Sequence, residues 1–241
     1  MPVLHVVVPC FNEPGTLDAV LVSLGKVGWP DGWRAKVTVV DDGSEPAAAR
    51  IAADACRTHG ATLVRHEVNR GKGAAIRTGF ALAASRAGDG DAAAIHDADL
   101  EYDPQDLATL LERLPGHDAV FGNRWGSAAD PRIKRRAHRF LNRLLTGASN
   151  LLTGLAIHDM ECCHKLFTIE ALRPMLPELT EDRFGIEPQL AAVAARHRLR
   201  IAEAPVSYRP RGFAEGKKIR ARDGVRALLV IVRERFRGSP D

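Results

Sequence analysis

The chain has 241 residues, 45% of them hydrophobic and 27% charged, with a formal net charge of +4. That length and apolar content support one large domain, or a domain with an appendage, whose core needs no covalent staples. Cys10, Cys56, Cys162 and Cys163 make no CxxC pair, which excludes a disulfide framework or zinc pattern and fits a reducing compartment.

In chain order, LHVVVP reads as a buried strand ended by Pro9, and Thr16 to Lys26 as a helix with Leu17, Val20, Leu21 and Leu24 on one face. KVTVV (36–40) is a second strand, followed by DDGS and a helix from Pro46 to His59. ATLVR (61–65) is a third strand, leading through HEVNRGKG into a helix from Ala74 to Ala87. AAAIHD is a fourth strand, Pro104 opens the helix QDLATLLERL, and DAVFGN (118–123) is a fifth strand. Such alternation predicts a mostly parallel sheet with right-handed crossovers and helices on both faces.

Beyond Asn123 the alternation breaks. Residues 132–155 carry Phe140, Leu141, Leu144, Leu145, Leu151 and Leu152 at helical spacing. A helix near 187–198 and the strand RIAEAPVSY come next, and DGVRALLVIVRERFR puts Val225, Leu228, Leu229, Val232 and Phe236 on one stripe. Core packing is the default account of both stripes, and the flanking arginines also suit a membrane surface. The start, MPVLHVVVPC, lacks the charged n-region of a signal peptide, and no apolar run approaches the ~20 residues of a membrane span. The expected location is cytoplasmic, at most peripheral on the inner face of the membrane.

Positive charge is concentrated. Arg132 to Arg143 holds six Lys/Arg and no acid, and Arg209 to Arg237 holds ten Lys/Arg against three acids. The remainder is net negative. An anionic partner would explain the division, and solvated helix faces would explain it equally. A nucleic-acid-binding protein has only this charge in its favour, since aromatics are 5% and no recognition motif appears.

Ligands of parallel sheets bind outside the carboxyl ends of the strands. PCFNE, DDGS, NRGKG, HDADLE and GNRW all follow expected strands and should line one rim. In HDADLEYDP, the acids Asp97, Asp99, Glu101 and Asp103 alternate, so an extended chain would set them on one face. Asp103 has a structural account as N-cap before Pro104, with Asp106 three residues on. Asp97 and Asp99 have none, and two close carboxylates suit a hard cation such as Mg²⁺ or Mn²⁺ completed by substrate phosphates. NRGKG is not a P-loop, and no GxGxxG is present. His96, His158 and His164 are not spaced as a metal site.

Taken in order, VVPCFNE, VVDDGS, NRGKGAAIRTGF, HDADLEYDP and FGNRW resemble the nucleotide-sugar glycosyltransferases of the GT-A fold. LTGLAIHDMECCHKLF, RFGIEPQLAA and APVSYRPRGFAEGKKIRARDG extend the likeness to the subgroup that makes polyprenyl-phosphate sugars, the dolichyl-phosphate mannose and glucose synthases. The resemblance spans about residues 3 to 235. It implies an α/β GT-A domain over 1–208, a Rossmann-like, mostly parallel sheet, then a mobile basic loop and an amphipathic helix over 209–241.

It also implies roles. Pro9, Asn12, Glu13, Asp41, Asp42 and Lys72 would hold the nucleotide. Asp97 and Asp99 would hold a Mg²⁺ or Mn²⁺ ion that bridges the diphosphate, with Glu101 a third ligand. Arg124, Arg211, Lys217 and Lys218 would contact phosphates, Arg143 would approach the acceptor lipid phosphate, and Asp159 would lie near the reacting centre. The implied reaction is an inverting hexosyl transfer, UDP-glucose being the guessed donor and a polyprenyl or dolichyl phosphate the acceptor. The alternative acceptor is a soluble hydroxyl, with Asp182 of TEDRFG as general base beside Glu181. Two departures bear on the acceptor: the chain ends at Asp241 without a membrane span, and Cys162, Cys163 and His164 replace residues usual in the family.

Overall fold

The computed structural model describes residues 1–126, 136–211 and 221–237. Val3–Cys10 (β1), Arg34–Asp41 (β2), Thr62–Arg65 (β3) and Ala92–Ile95 (β4) are the expected strands, joined by the helices Leu17–Gly25 (α1), Pro46–His59 (α2) and Lys72–Arg86 (α3). Gly60 ends α2 in the left-handed conformation at φ 67°, which a side chain there would oppose. Asp106–Arg113 (α4) and Ala119–Asn123 (β5) follow, then Arg136–Thr153 (α5). Lys165–Thr168 (β6), Ile169–Met175 (α6), Ile186–Arg196 (α7), Ile201–Pro205 (β7) and Ala221–Arg235 (α8) complete the order.

The sheet runs β3-β2-β1-β4-β6-β5-β7. Every neighbouring pair is parallel except that β6 runs antiparallel to both β4 and β5. Neither β6 nor α6 is among the elements expected from the sequence. KLFT is too short for its alternation to be read, and Thr168 turns it straight into α6 by accepting a 3.2 Å hydrogen bond from the Ala171 amide.

The core lies on both faces of the sheet. Phe167 of β6 meets Phe80 of α3 edge-on at 6.1 Å between ring centres, and meets Phe121 of β5 at 5.7 Å. The all-small run Ala92–Ala94 is fully buried, as a strand covered on both faces requires. Gly79 of α3 sits so close to the Val7 side chain that a Cβ would overlap it, and this brings α3 down onto β1.

Three expectations are corrected. β4 stops at Ile95, and the chain turns at residues 98–101, with Leu100 at φ 61°, before Tyr102 bridges to Tyr208. The four acids therefore wrap around a turn and do not share a strand face. The second correction concerns α4: Asp103 accepts from the Gln105 amide at 3.0 Å, but Asp106 accepts from the Ser207 amide at 2.7 Å and does not complete a capping pair.

The third concerns α5 and α8. α5 buries Asn142, Thr146 and Ser149 and exposes Phe140, Leu141, Leu144 and Leu151, the last at 85%. α8 buries Ala227, Val230, Ile231 and Glu234 while Leu228, Leu229, Val232 and Phe236 are exposed. Core packing is thus the wrong account of the α8 stripe, apart from Val225, whose side chain lies outside the described residues, and holds for only part of the α5 stripe, where Leu145 and Leu152 are partly buried against the core.

Candidate active site

Because β1, β2, β3, β4, β5 and β7 are parallel, their carboxyl ends share one rim, and antiparallel β6 begins there. The segments PCFNE, DDGS, NRGKG, HDADLE and GNRW therefore meet, together with the turn before β6 and the start of α7.

The first three segments are tied to each other. Pro9 pairs with Val40 along β1 and β2. Asn12, at φ 51°, donates its amide to Ser44 Oγ at 2.8 Å and accepts from the Glu45 amide at 2.9 Å. Asp41 is buried, accepts from the Ser44 amide at 3.1 Å and pairs with Arg65 at 3.2 Å. Asp42 accepts from the amides of Arg70 (3.0 Å) and Gly71 (2.7 Å), from Asn69 (2.9 Å), and shares a 2.7 Å hydrogen bond with His66. Asp42 thus shapes the NRGKG loop with acceptor positions that the resemblance would give to a nucleotide. Gly71, at φ 110°, packs against the Asp182 carbonyl so closely that no Cβ would fit.

The acidic turn is answered by two cations. Lys72, at the first turn of α3, lies 2.9 Å from Asp97 and 3.1 Å from Glu187. Arg211 lies 3.0 Å from Asp99 and 3.2 Å from Glu13. Glu101 has both oxygens engaged, one by Tyr208 Oη and one by the Arg211 amide, each at 2.8 Å. It is therefore not presented as a third metal ligand, and no group of three or more His, Cys, Asp or Glu among the described residues is arranged to hold a metal.

Burial opposes ionisation of Asp97, but Lys72 beside it still holds the carboxyl below its ordinary range. Burial, then the charges of Asp97 and Glu101, push Asp99 up to about 7, even with Arg211 in contact. Such a pair is short of positive charge. Two hard oxygen donors in that state fit an Mg²⁺ or Mn²⁺ ion that takes its remaining ligands from water and a diphosphate.

A second group of charges adjoins the first. Arg124 is buried and clasps Asp159 through two 2.7 Å hydrogen bonds, with Asn142 of α5 donating to the same carboxylate at 3.0 Å. Its guanidinium carbon also sits 5.0 Å from the Tyr208 ring centre. Arg124 and Asp159 thus neutralise each other, whereas the resemblance would have Arg124 contact a phosphate. Lys165, fully buried, donates to the carbonyls of Met160 and Cys162 and lies 3.4 Å from Glu187.

Glu187 and Lys165 were missing from the candidates. Their sequence signal is a charge in the first turn of a helix or strand that is otherwise apolar, as in GIEPQLAA and HKLF. His96 and His164 lie beneath Asp97, hydrogen-bonded to each other at 2.8 Å, which agrees with a structural role. Burial pushes His96 down to about 4.

Arg143 is exposed on α5. Asp182 pairs with Arg77 at 2.5 Å, and Glu181 pairs with Arg233 (2.8 Å) and Arg226 (2.9 Å) of α8. The Asp182 backbone carbonyl meets the start of α3, accepting from the Ala74 amide at 3.0 Å, and the carboxylate expected to serve as general base is engaged by Arg77. Lys217 and Lys218 lie outside the described residues.

The family model described as Glycosyl transferase family 2 matches residues 5–176. Over 217 residues the chain is 31% identical to the undecaprenyl-phosphate 4-deoxy-4-formamido-L-arabinose transferase of Pseudomonas paraeruginosa, covering 89% of this chain and 60% of that relative. Glycosyltransferase AglJ of Haloferax volcanii is 28% identical over 237 residues, covering 98% of this chain and 73% of that one. Among solved structures, glucosyl-3-phosphoglycerate synthase from Mycobacterium tuberculosis in complex with UDP superposes with a TM-score of 0.70 at 20% identity, covering 100% of this chain and 82% of that one. That likeness shows a shared fold.

Proposed function

We propose that this chain, which belongs to glycosyl transferase family 2, transfers a hexosyl group from a nucleoside diphosphate sugar to a polyprenyl phosphate. The observation that carries the reading is the Asp97–Asp99 pair at the sheet's binding rim, charge-starved and held between Lys72 and Arg211. A divalent cation bound there would act as a Lewis acid on the leaving diphosphate. The synthase from M. tuberculosis has been crystallised with Mn²⁺ and UDP-glucose, which supports the same donor class here.

The chain's own groups have separable tasks. Asp97 and Asp99 supply hard ligands, and Lys72 and Arg211 supply cations that can follow the diphosphate as negative charge builds on it. Asn12 and Asp41 border the nucleoside end. Asp42 holds the loop that starts α3, so it acts by positioning Lys72.

A polyprenyl phosphate is favoured as acceptor because it needs no base: a phosphate monoester with a second pKa near ~6 is mostly dianionic at neutral pH. Asp182, tied to Arg77, offers none. The exposed apolar faces of α5 and α8 are the second support, since a lipid acceptor must be met at a membrane surface.

Transfer from UDP-glucose and related nucleotide sugars to a polyprenyl phosphate tests the reading, with and without chelator. Asp97→Asn and Asp99→Asn should each abolish transfer in a folded protein, and Mn²⁺ or Mg²⁺ should restore chelated wild type. Asp182→Asn should leave turnover within about threefold, whereas a hydroxyl acceptor needing that base predicts a loss of roughly 10²-fold. Full activity in chelator would remove the cation from the mechanism.

A further inference from the structure

Glu161 stands in the turn that precedes β6, two residues after Asp159, where the Cys162 amide bonds back to the Asp159 carbonyl at 3.4 Å. β6 starts at the binding rim, so this turn lies on it. The electrostatic neighbours of Glu161 are Glu187, Lys165, Arg124 and Asp159. Its neighbours thus belong both to the Lys72–Glu187 pair, which reaches Asp97, and to the Arg124–Asp159 pair.

Each neighbouring carboxylate has a partner. Asp97 has Lys72, Asp99 has Arg211, Glu101 has Tyr208, Asp159 has Arg124, and Glu187 has both lysines. Glu161 Oε1 is shut off from solvent and has no hydrogen-bond partner among the described residues. Burial, then the charge of Glu187, pushes its carboxyl up to about 7. A buried polar atom left without a partner is unfavourable, and a ligand, an ion or a water that completes its hydrogen bonding is one of the accounts such an atom calls for.

We infer that Glu161 hydrogen-bonds hydroxyl groups of the transferred sugar and so determines which hexose the site accepts. The inference rests on the donor reading above, because only a nucleotide sugar brings a hexose to this place. The chemistry discriminates among the parts of the donor. A carboxyl group beside Glu187 repels a phosphate, and the diphosphate already has Lys72, Arg211 and the Asp97–Asp99 pair. A sugar hydroxyl donates a hydrogen bond without adding negative charge. It suits a carboxyl that is ionised or neutral, and one side chain can engage two adjacent hydroxyls. Sites built around such a bond reject analogues that lack the hydroxyl far better than apolar pockets do. The residue as a whole keeps partial exposure, although its Oε1 is shut off from solvent.

Calorimetry with Mn²⁺ tests the inference, using UDP, UDP-glucose, its epimers at each ring position and its single-deoxy analogues, with the GDP series in parallel. Wild type should bind one nucleotide sugar more tightly than the matching diphosphate. Removing one particular hydroxyl should weaken binding about 10- to 100-fold, the range for a hydrogen bond to a charged group. Glu161→Ala should bind the free diphosphate as wild type does while losing most of that discrimination. Glu161→Asp, which shortens the reach, should lose it as well. A variant that discriminates as wild type does overturns the inference, whatever its turnover. So does a wild type indifferent to every single-hydroxyl change, a result that needs no variant to fold. A wild type that binds no nucleotide or nucleotide sugar overturns the function reading and this inference together.

Discussion

Asp99 illustrates how a single side chain can be poor for the fold and good for a ligand. Its carboxyl is raised to about 7 by burial first and by Asp97 and Glu101 next, against an unfolded value near ~3.9. Between those values the folded chain holds a proton that the unfolded chain has released, so this residue lowers stability progressively as pH rises from about 4 to 7. Asp99→Asn should therefore be more stable than wild type at pH 8, by about 1 to 3 kcal/mol. The gap should narrow steadily towards pH 4. Melting curves of both proteins across that range check it, and a gap independent of pH would contradict the assignment. Saturating Mn²⁺ should reverse the order at pH 8, because only wild type gains binding energy from it. The same residue shows where sequence reading stops. D-x-D after an apolar run is visible in the letters, but the arrival of Arg211, 112 residues later, depends on β7 returning beside β5. The resemblance implies a metal ligand at Glu101, and only the position of Tyr208 shows that carboxylate engaged.

Among elements, α5 departs most from its own pattern. The apolar spacing of Phe140, Leu144 and Leu151 predicts a helix, and the helix is there, but its polar side faces inward. Asn142 is the reason: its amide closes the Arg124–Asp159 pair, and a buried ion pair needs that extra hydrogen bond more than the core needs another leucine. Asn142→Leu should cost about 1 to 3 kcal/mol by leaving those charges short of a partner, while Leu151→Ser should change stability by less than about 0.5 kcal/mol. Urea unfolding of the two variants distinguishes this orientation from its opposite. Periodicity identifies a helix and its two faces, but it does not say which face goes inward when a charged pair competes with apolar side chains. The regular first half was legible for the opposite reason, since in β1 to α3 the apolar residues and the buried face coincide. β6 escaped because four residues, KLFT, are too few to carry a period.

At the scale of the molecule, the exposed leucines of α5 and α8 belong to helices that pack together, and Arg143, Arg226, Arg233 and Arg235 are exposed on the same two helices. No helix among the described residues is long and apolar enough to cross a membrane. An apolar face edged by arginine is the composition of a surface-seated element, and each basic residue near an anionic bilayer contributes ~1 kcal/mol. Sedimentation with phosphatidylglycerol vesicles should show binding that weakens with salt, and Leu144→Ser with Arg143→Glu should reduce it at least about fivefold. Equal binding to neutral vesicles would leave the arginines without that role. The antiparallel strand has a consequence for how the chain is made. β5 has only β6 and β7 as sheet neighbours, so residues 119–123 leave the ribosome with no strand to join until residue 168 has been synthesised. The β1–β4 half can pair within itself meanwhile, and the sheet is completed by contacts between distant parts of the sequence, a slow kind of step. Pulse-labelling hydrogen exchange during refolding should accordingly find the amides of β1 and β2 protected before those of β5, with the Asp97 and Arg124 halves of the rim meeting last.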